Sequence, residues 1–113
     1  MTSLPNYLRS HRKHSSLSQE EVAFMLGIKG MDKSNKVSRD ENYSRIPTLE
    51  SALAYEAIYG KPIRELFAGL YEQVTRDVST RAKFLSYRKT KVPDPKRSQK
   101  LSELVLRHYK SVA

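Results

Sequence analysis

The sequence contains no cysteine, which excludes disulfide bonds and zinc sites built from thiolates. It has no apolar run that approaches the ~20 residues needed by a membrane-spanning helix. Its first residues, Met-Thr-Ser-Leu-Pro, lack the basic-then-apolar pattern of a secretory signal. We therefore expect a cytoplasmic protein that does not enter the membrane.

Patterns typical of catalysis are also missing. There is no glycine-rich phosphate loop and no Gly-x-Ser-x-Gly motif. The three histidines, His11, His14 and His108, have no cysteine and no nearby carboxylate to complete a metal site. Residues 32–36 resemble part of a calcium loop but lack its spaced carboxylates. We expect neither an enzyme nor a bound metal or cofactor.

The composition describes a small and strongly basic protein. Its 113 residues suit one domain plus an appendage, and the hydrophobic share of 38% is enough for a small core. Lys and Arg number 21 against 12 Asp and Glu, which gives a formal net charge of +9. Such a charge favours polyanionic partners, namely DNA, RNA or an anionic membrane surface. Charge alone does not choose among them.

Two short helices joined by a polar connector are predicted between residues 17 and 47. Ser18 and Glu21 have the spacing of a capping box, and Gly27 suits the left-handed residue that ends a helix. The second helix should begin between residues 32 and 34 and end near residue 43, with Val37 as its one clear apolar anchor. A helix with so little apolar surface must leave most of its side chains outside the core.

The polar side chains of this second helix suit the edges of DNA bases in a major groove. The candidates for base reading are Lys33, Ser34, Asn35, Lys36, Ser38 and Arg39. The alternative is a solvated surface helix without a partner. The capped helix before it and the overall charge favour the DNA-binding interpretation.

Five short motifs in order resemble the Cro-like, phage-repressor (XRE-type) helix-turn-helix family. They are Leu17-Ser-Gln-Glu-Glu-Val-Ala, Leu26-Gly27, Val37-Ser-Arg-x-Glu41, Pro47-Thr-Leu49-Glu50 and Glu65-Leu66-Phe67, and the resemblance covers roughly residues 4–68. It implies a compact five-helix DNA-binding domain, usually dimeric, that regulates transcription. Two features depart from the family. The connector is about four residues longer than the usual turn of 3–4 residues, and Asp40 replaces an apolar side chain.

The resemblance also implies residue roles. Ser34, Asn35 and Arg39 match the base-reading positions, and Gln19 matches a phosphate contact. Arg12 matches an arginine that pairs with the glutamate closing the recognition helix, here Glu41. We expect this pair to fix the position of the helix that carries Arg12 against the recognition helix rather than to add net stability.

The loop of residues 42–46 follows the recognition helix and should lie near the DNA backbone. Tyr43 and Arg45 are therefore candidate phosphate contacts, although Tyr43 could equally pack over the core.

The remaining helices are predicted from capping residues and proline positions. The first should span residues 4–14 with Ser3 as its N-cap, and the fourth should run from Thr48 to the terminating Gly60. Glu56 falls on its apolar face without an evident partner, although a buried carboxylate needs one. The fifth helix should open at Pro62 and continue without interruption to about residue 86.

An apolar stripe on this extended fifth helix is the candidate dimer interface. It comprises Leu70, Tyr71, Val74, Val78, Ala82 and Leu85. The alternative is a helix that folds back on its own domain. A basic linker with two prolines should occupy residues 86–97, and Ser98 should cap a short helix over residues 99–110 that docks on this chain or on a partner.

The sequence thus predicts an all-α protein: a five-helix, lambda-repressor-like domain over residues 1–68, and a helical extension, linker and C-terminal helix over residues 69–113. The predicted function is sequence-specific binding to double-stranded DNA as a homodimeric, nucleoid-associated transcriptional regulator. The alternatives are a protein-interaction module, antitoxin-like or partner-binding, that uses the C-terminal helices, and non-specific RNA binding by the basic tail.

Overall fold

The computed structural model describes residues 3–31, 33–88 and 94–112, with side chains up to residue 107. All regular structure in these ranges is helical, which confirms the all-α prediction. The helices are α1 (Leu8–His14), α2 (Gln19–Met25), α3 (Lys33–Glu41), α4 (Leu49–Tyr59), α5 (Ile63–Leu66), α6 (Ala68–Tyr87) and α7 (Pro95–Val112). None of the helices described is both long and apolar enough to cross a membrane.

The chain divides into two compact units, Met1–Leu70 and Tyr71–Ala113. In the first unit the buried side chains of α1 to α5 and the following turn form one core, made of Leu8, Val22, Ala23, Val37, Tyr55, Leu66 and Phe67. Among the residues described in the second unit, Ser79, Ala82 and Leu101 are buried.

The structure corrects the predicted start of the first helix, because α1 begins at Leu8 and not at residue 4. The segment before it is not helical, and it bonds to the junction of α5 and α6. Tyr7 N donates to Leu66 O at 2.7 Å, and Gly69 N donates to Leu4 O at 2.9 Å. Those backbone groups are therefore committed to a distant partner and cannot form a first helical turn. The side chain of Asn6, rather than that of Ser3, accepts a bond from the backbone of α1, at Leu8 N.

Helix α2 has the predicted boundaries for local reasons. The hydroxyl of Ser18 accepts from Glu21 N, and the carboxylate of Glu21 accepts from Ser18 N, so the capping box is complete. Gly27 has a φ of 78°, and Ile28 N donates to Ala23 O at 3.1 Å, the bond that closes a Schellman motif. Ile28 also packs against the core. It thereby anchors the first part of the long connector, while Met31 farther along is fully exposed.

Helix α3 ends at Glu41, two residues before the predicted end, and begins at Lys33 within the predicted range. Residue 32, the first residue of that predicted range, lies outside the described residues.

Helix α4 begins after the cap Thr48 and ends at Gly60, as predicted, with Gly60 in the left-handed conformation. The carboxylate of Glu56 accepts from Ile63 N at 2.8 Å. The partner of Glu56 is therefore the first turn of α5, whose backbone N–H groups need acceptors.

The predicted continuous fifth helix is wrong, because Phe67 leaves the helical conformation with φ −115° and ψ 43° and separates α5 from α6. Phe67 is buried in the core, so the chain turns where this ring enters it. Gly69 then lies against the N-terminal segment, where a Cβ would collide with the Leu4 carbonyl.

The predicted C-terminal helix is also longer than expected. Helix α7 begins at Pro95, and the carboxylate of Asp94 accepts from Lys96 N at 3.0 Å, so Asp94 replaces Ser98 as the capping residue. Proline is compatible with the first position of a helix because its missing N–H has no intrahelical partner there. Residues 89–93 of the predicted linker, and the side chains of residues 108–110 of the predicted C-terminal helix, lie outside the described part.

Candidate nucleic-acid interface

Helix α3 is buried on one side and exposed to solvent on the other. Val37, Asp40 and Glu41 are buried, whereas Asn35, Lys36 and Arg39 are exposed. Asn35 and Arg39 are four residues apart and therefore lie on the same face of the helix, opposite Val37. Ser34, Ser38 and Lys33 are half-buried at its edges. The exposed face is thus a short ridge of hydrogen-bond donors on a helix fixed from behind.

The predicted pair of Arg12 and Glu41 is present in the structure. Arg12 Nε donates to Glu41 Oε2 at 2.6 Å, and Arg12 Nη2 donates to Glu41 Oε1 at 3.1 Å, so the contact is bidentate. The side chains are 13% and 3% exposed, respectively. The hydrogen bond to Glu41 raises the pKa of Arg12, so the guanidinium stays charged. Arg12 Nη1 also donates to Leu17 O at 3.0 Å, which connects the end of α3 to the turn before α2.

Asp40, which the sequence marks as a misfit in an apolar position, is the centre of a second buried network. Its carboxylate accepts from Tyr55 Oη at 2.7 Å and from Arg45 Nε at 2.9 Å. Asn6 Nδ2 donates to the backbone carbonyl of Asp40 at 2.9 Å. Burial raises the pKa of Asp40, while the bonds from Tyr55 and Arg45 act in the opposite direction.

This network attaches α3 to the segment before α1, to α4 and to the loop that follows α3, because its members come from all four segments. Burial and the bond to Asp40 also raise the pKa of Tyr55. Its hydroxyl therefore remains a donor throughout the neutral range.

Two of the predicted phosphate contacts already have intramolecular partners. Gln19 Nε2 donates to Glu41 Oε1 at 3.1 Å, and Arg45 is bound to Asp40 with 31% of its side chain exposed. Tyr43 is 46% exposed and has a φ of 70°, a left-handed conformation that is uncommon for a non-glycine residue. Its ring is therefore not enclosed in the core, which was the alternative for this residue.

A polar cleft of about 240 Å³ lies beside the exposed face of α3. It is lined by Arg9, Arg12, Gln19, Ser38, Glu41 and Asn42. Arg9 is exposed, and among the described ion pairs none engages it. Neither Arg9 nor Asn42 is among the site residues predicted from the sequence. Arg9 precedes Arg12 by three residues on α1, so it lies on the same side of that helix, and this spacing could have identified it.

The edges of the site differ in charge. Lys33 Nζ lies 3.6 Å from Glu20 Oε1, so part of its charge is compensated by α2. In contrast, Lys36 and Arg39 have no ion-pair partner within the described ranges. The cationic part of the exposed face is therefore its middle and C-terminal portion, next to the polar cleft.

The predicted dimer stripe is only partly available. Leu70 packs against the core of the first unit, and Ala82 is 3% exposed, so neither is free to face a second copy. The other four, Tyr71, Val74, Val78 and Leu85, are between 38% and 49% exposed.

No family model, no curated protein and no solved structure matches the chain.

Proposed function

We propose that the first unit binds double-stranded DNA in a sequence-specific manner through the exposed face of α3, and that the chain regulates transcription. The observation that supports this proposal most is that the two sides of α3 differ. Two hydrogen-bond networks hold its buried side, and Asn35, Lys36 and Arg39 are exposed on the other side. A rigid helix with outward donors is the arrangement that base reading in the major groove requires. The resemblance to the Cro-like family remains a prediction.

The roles follow from side-chain geometry. Asn35 is suited to a bidentate contact with adenine, and Arg39 to one with guanine. Lys36 adds a cation beside them. Arg9 and Asn42, at the neighbouring cleft, are placed to meet the phosphate backbone, which positions a protein without reading sequence. Arg45 is a weaker candidate than the sequence indicated, because its Nε is bonded to Asp40.

Selection from random duplex DNA followed by sequencing tests this proposal. The wild-type protein should enrich a defined motif. Arg39→Ala should relax the preference at one base pair, at about 1–3 kcal/mol. The matched control is Arg64→Ala, because Arg64 is an exposed arginine that belongs to α5 and not to α3. The control should keep the motif with unchanged relative preferences. No enrichment by the wild-type protein, or equal losses on all sequences for Arg39→Ala, would refute the proposed reading of bases.

We further infer that the chain acts as a homodimer through the exposed stripe of Tyr71, Val74, Val78 and Leu85. Four partly exposed apolar side chains at helical spacing on α6 support this, since burying them against a second copy is favourable. A dimer would place two copies of α3 on half-sites about 34 Å apart on a palindromic operator.

The dimer has a simple test in sedimentation equilibrium. Val74→Asp introduces a charge into the stripe and should shift the protein toward monomer. The adjacent, exposed Gln73→Asp introduces the same charge outside the stripe and should leave the dimer intact. If Val74→Asp and wild type have the same mass, the stripe is not the dimer interface.

The same four side chains favour a second candidate, a protein-interaction module whose partner covers the stripe. Under this alternative the first unit is a scaffold. Selection from random DNA then yields no motif, and Val74→Asp abolishes partner binding rather than self-association. Gel shifts with genomic fragments separate the two candidates.

A further inference from the structure

A second exposed surface lies on α6, on the side away from its buried residues. Phe84 is 66% exposed and Tyr87 is 75% exposed, although large aromatic side chains are usually covered. They are three residues apart, so they lie within about 60° of each other around the helix axis. Ser79 and Ala82, the buried residues of α6, lie on the opposite side. The aromatic pair is therefore not the edge of the core of this unit.

Three cations lie along the same part of α6 as this pair. Arg76, Lys83 and Arg88 are exposed and follow the same side of the helix and its C-terminal end. No ion pair within the described ranges involves Lys83 or Arg88. We name Phe84, Tyr87, Arg76, Lys83 and Arg88 the aromatic–basic face.

The charge of the chain is concentrated in the unit that carries this face. Residues 71–113 contain 11 Lys and Arg against 4 Asp and Glu, a difference of +7 within a chain of +9. The first unit, which carries the proposed base-reading helix, therefore contributes only the remaining +2. If α3 were the only part of the chain that binds a nucleic acid, the excess of positive charge in the second unit would have no function. Binding of a polyanion by the second unit explains this excess.

We propose that the aromatic–basic face binds single-stranded nucleic acid, with Phe84 and Tyr87 stacking on unpaired bases and Arg76, Lys83 and Arg88 neutralising phosphates. Stacking platforms beside a cationic track are the general device for holding single strands without base-specific readout. Paired bases inside a duplex do not offer their faces to such side chains. This site is separate from the proposed operator contact and does not depend on it.

An anionic membrane surface fits this face less well. Helices that bind in the membrane interface bury a broad apolar side. Here the residues that precede the two rings on the same side of α6 are polar or charged, namely Gln73, Asp77 and Thr80, and all three are exposed. Charge complementarity together with two separate stacking rings favours a single strand.

The absence of tryptophan allows a direct test on the full-length chain. Phe84→Trp introduces a single tryptophan on the face, and Phe24→Trp introduces one at an equally open position on α2, where Phe24 is 76% exposed. Adding a 20-nucleotide oligothymidylate or oligouridylate should quench the fluorescence of Phe84→Trp, because the indole stacks on a base. The Phe24→Trp control should not be quenched.

Affinity measurements complete the test. Fluorescence anisotropy with the same labelled oligonucleotides should show that Phe84→Ala and Tyr87→Ala each weaken binding by roughly fivefold or more. Phe24→Ala, the matched control, should bind like the wild type. Arg39→Ala should also bind these single strands normally. A failure of single-strand binding can therefore be distinguished from a failure of the proposed base reading by α3.

Three outcomes would overturn the inference. The first is an absence of quenching together with unchanged affinity of both alanine variants, even if Lys83→Ala weakens binding, because the site would then be purely electrostatic. The second is an equal loss in Phe24→Ala. The third is a blue shift of the Phe84→Trp emission on vesicles of phosphatidylcholine and phosphatidylglycerol without any response to oligonucleotides, which would assign the face to a membrane surface.

Discussion

Replacing Arg12 by methionine should destabilise the first unit far more than the loss of an ordinary surface charge would. Glu41, its partner, has only 3% of its side chain exposed. In Arg12→Met the carboxylate stays buried, and among the described hydrogen bonds it keeps only the one from Gln19. Leaving an uncompensated charge of this kind costs about 3–5 kcal/mol. That is a large share of the ~5–15 kcal/mol that stabilises a typical small protein.

The double variant Arg12→Met/Glu41→Leu distinguishes desolvation from simple loss of attraction. Removing both charges removes the buried charge as well, so the double variant should be more stable than Arg12→Met alone. The coupling energy of the cycle should reach about 2 kcal/mol or more. Arg9→Met provides the matched control, since Arg9 lies on the same helix and is exposed. It should change stability by no more than about 0.5 kcal/mol.

Urea unfolding followed by circular dichroism measures the four free energies of unfolding of the cycle, those of the wild type, Arg12→Met, Glu41→Leu and the double variant. Additive effects within about 0.5 kcal/mol would refute the reasoning, because they would mean that the two side chains do not depend on each other. The cycle also bears on function: if the pair sets the register of α3, the double variant should remain folded yet bind a selected DNA site more weakly.

Two further predictions concern the first unit. Gly69→Ala should destabilise it by about 1–3 kcal/mol, measured by thermal unfolding, because the new Cβ meets the Leu4 carbonyl; an unchanged melting temperature would contradict that packing. Burial raises the pKa of Asp40, so the carboxyl group of Asp40 binds a proton more tightly in the folded protein than in the unfolded chain. The stability of the wild type relative to Asp40→Asn should therefore be greatest below the ordinary aspartate pKa of about 4. It should decline as the pH rises through the raised pKa. Urea unfolding at pH 4 and pH 7 measures this, and a relative gain at pH 7 would contradict it.

Features set by neighbouring residues were predictable from the sequence. The capping box of Ser18 and Glu21, the cap Thr48 and the left-handed Gly27 and Gly60 lie where their local patterns indicate. Each of these depends on atoms within about one helical turn, so a sequence window contains all of the relevant partners.

Features set by distant partners were not predictable. The first helix begins late because Leu4 and Tyr7 bond to the chain around Leu66 and Gly69. The break at Phe67 has the same origin, since that ring is buried in the core and no local residue type there forbids a helix. Glu56 appeared unpartnered because its partner, Ile63 N, lies across the turn to the next helix.

In the candidate site, too, features set by local sequence were predictable and features set by distant partners were not. The outward position of Asn35 and Arg39 follows from a helix with a single apolar anchor, and the structure has both side chains exposed. The role of Asp40 could not be inferred, because its carboxylate is satisfied by Tyr55 on another helix and by Arg45 beyond the end of α3. That pairing also reduces the case for Arg45 as a phosphate contact.

The central claim is that the exposed face of α3 enters a DNA groove. A nitrogen-15 NMR titration of the full-length protein with its selected duplex, and with a duplex of scrambled sequence, measures this contact directly. The account predicts that the amide and side-chain signals of Asn35, Lys36 and Arg39 shift most with the selected duplex and much less with the scrambled one. If these signals stay in place with both duplexes while those of another surface move, α3 does not read the DNA and the account is wrong.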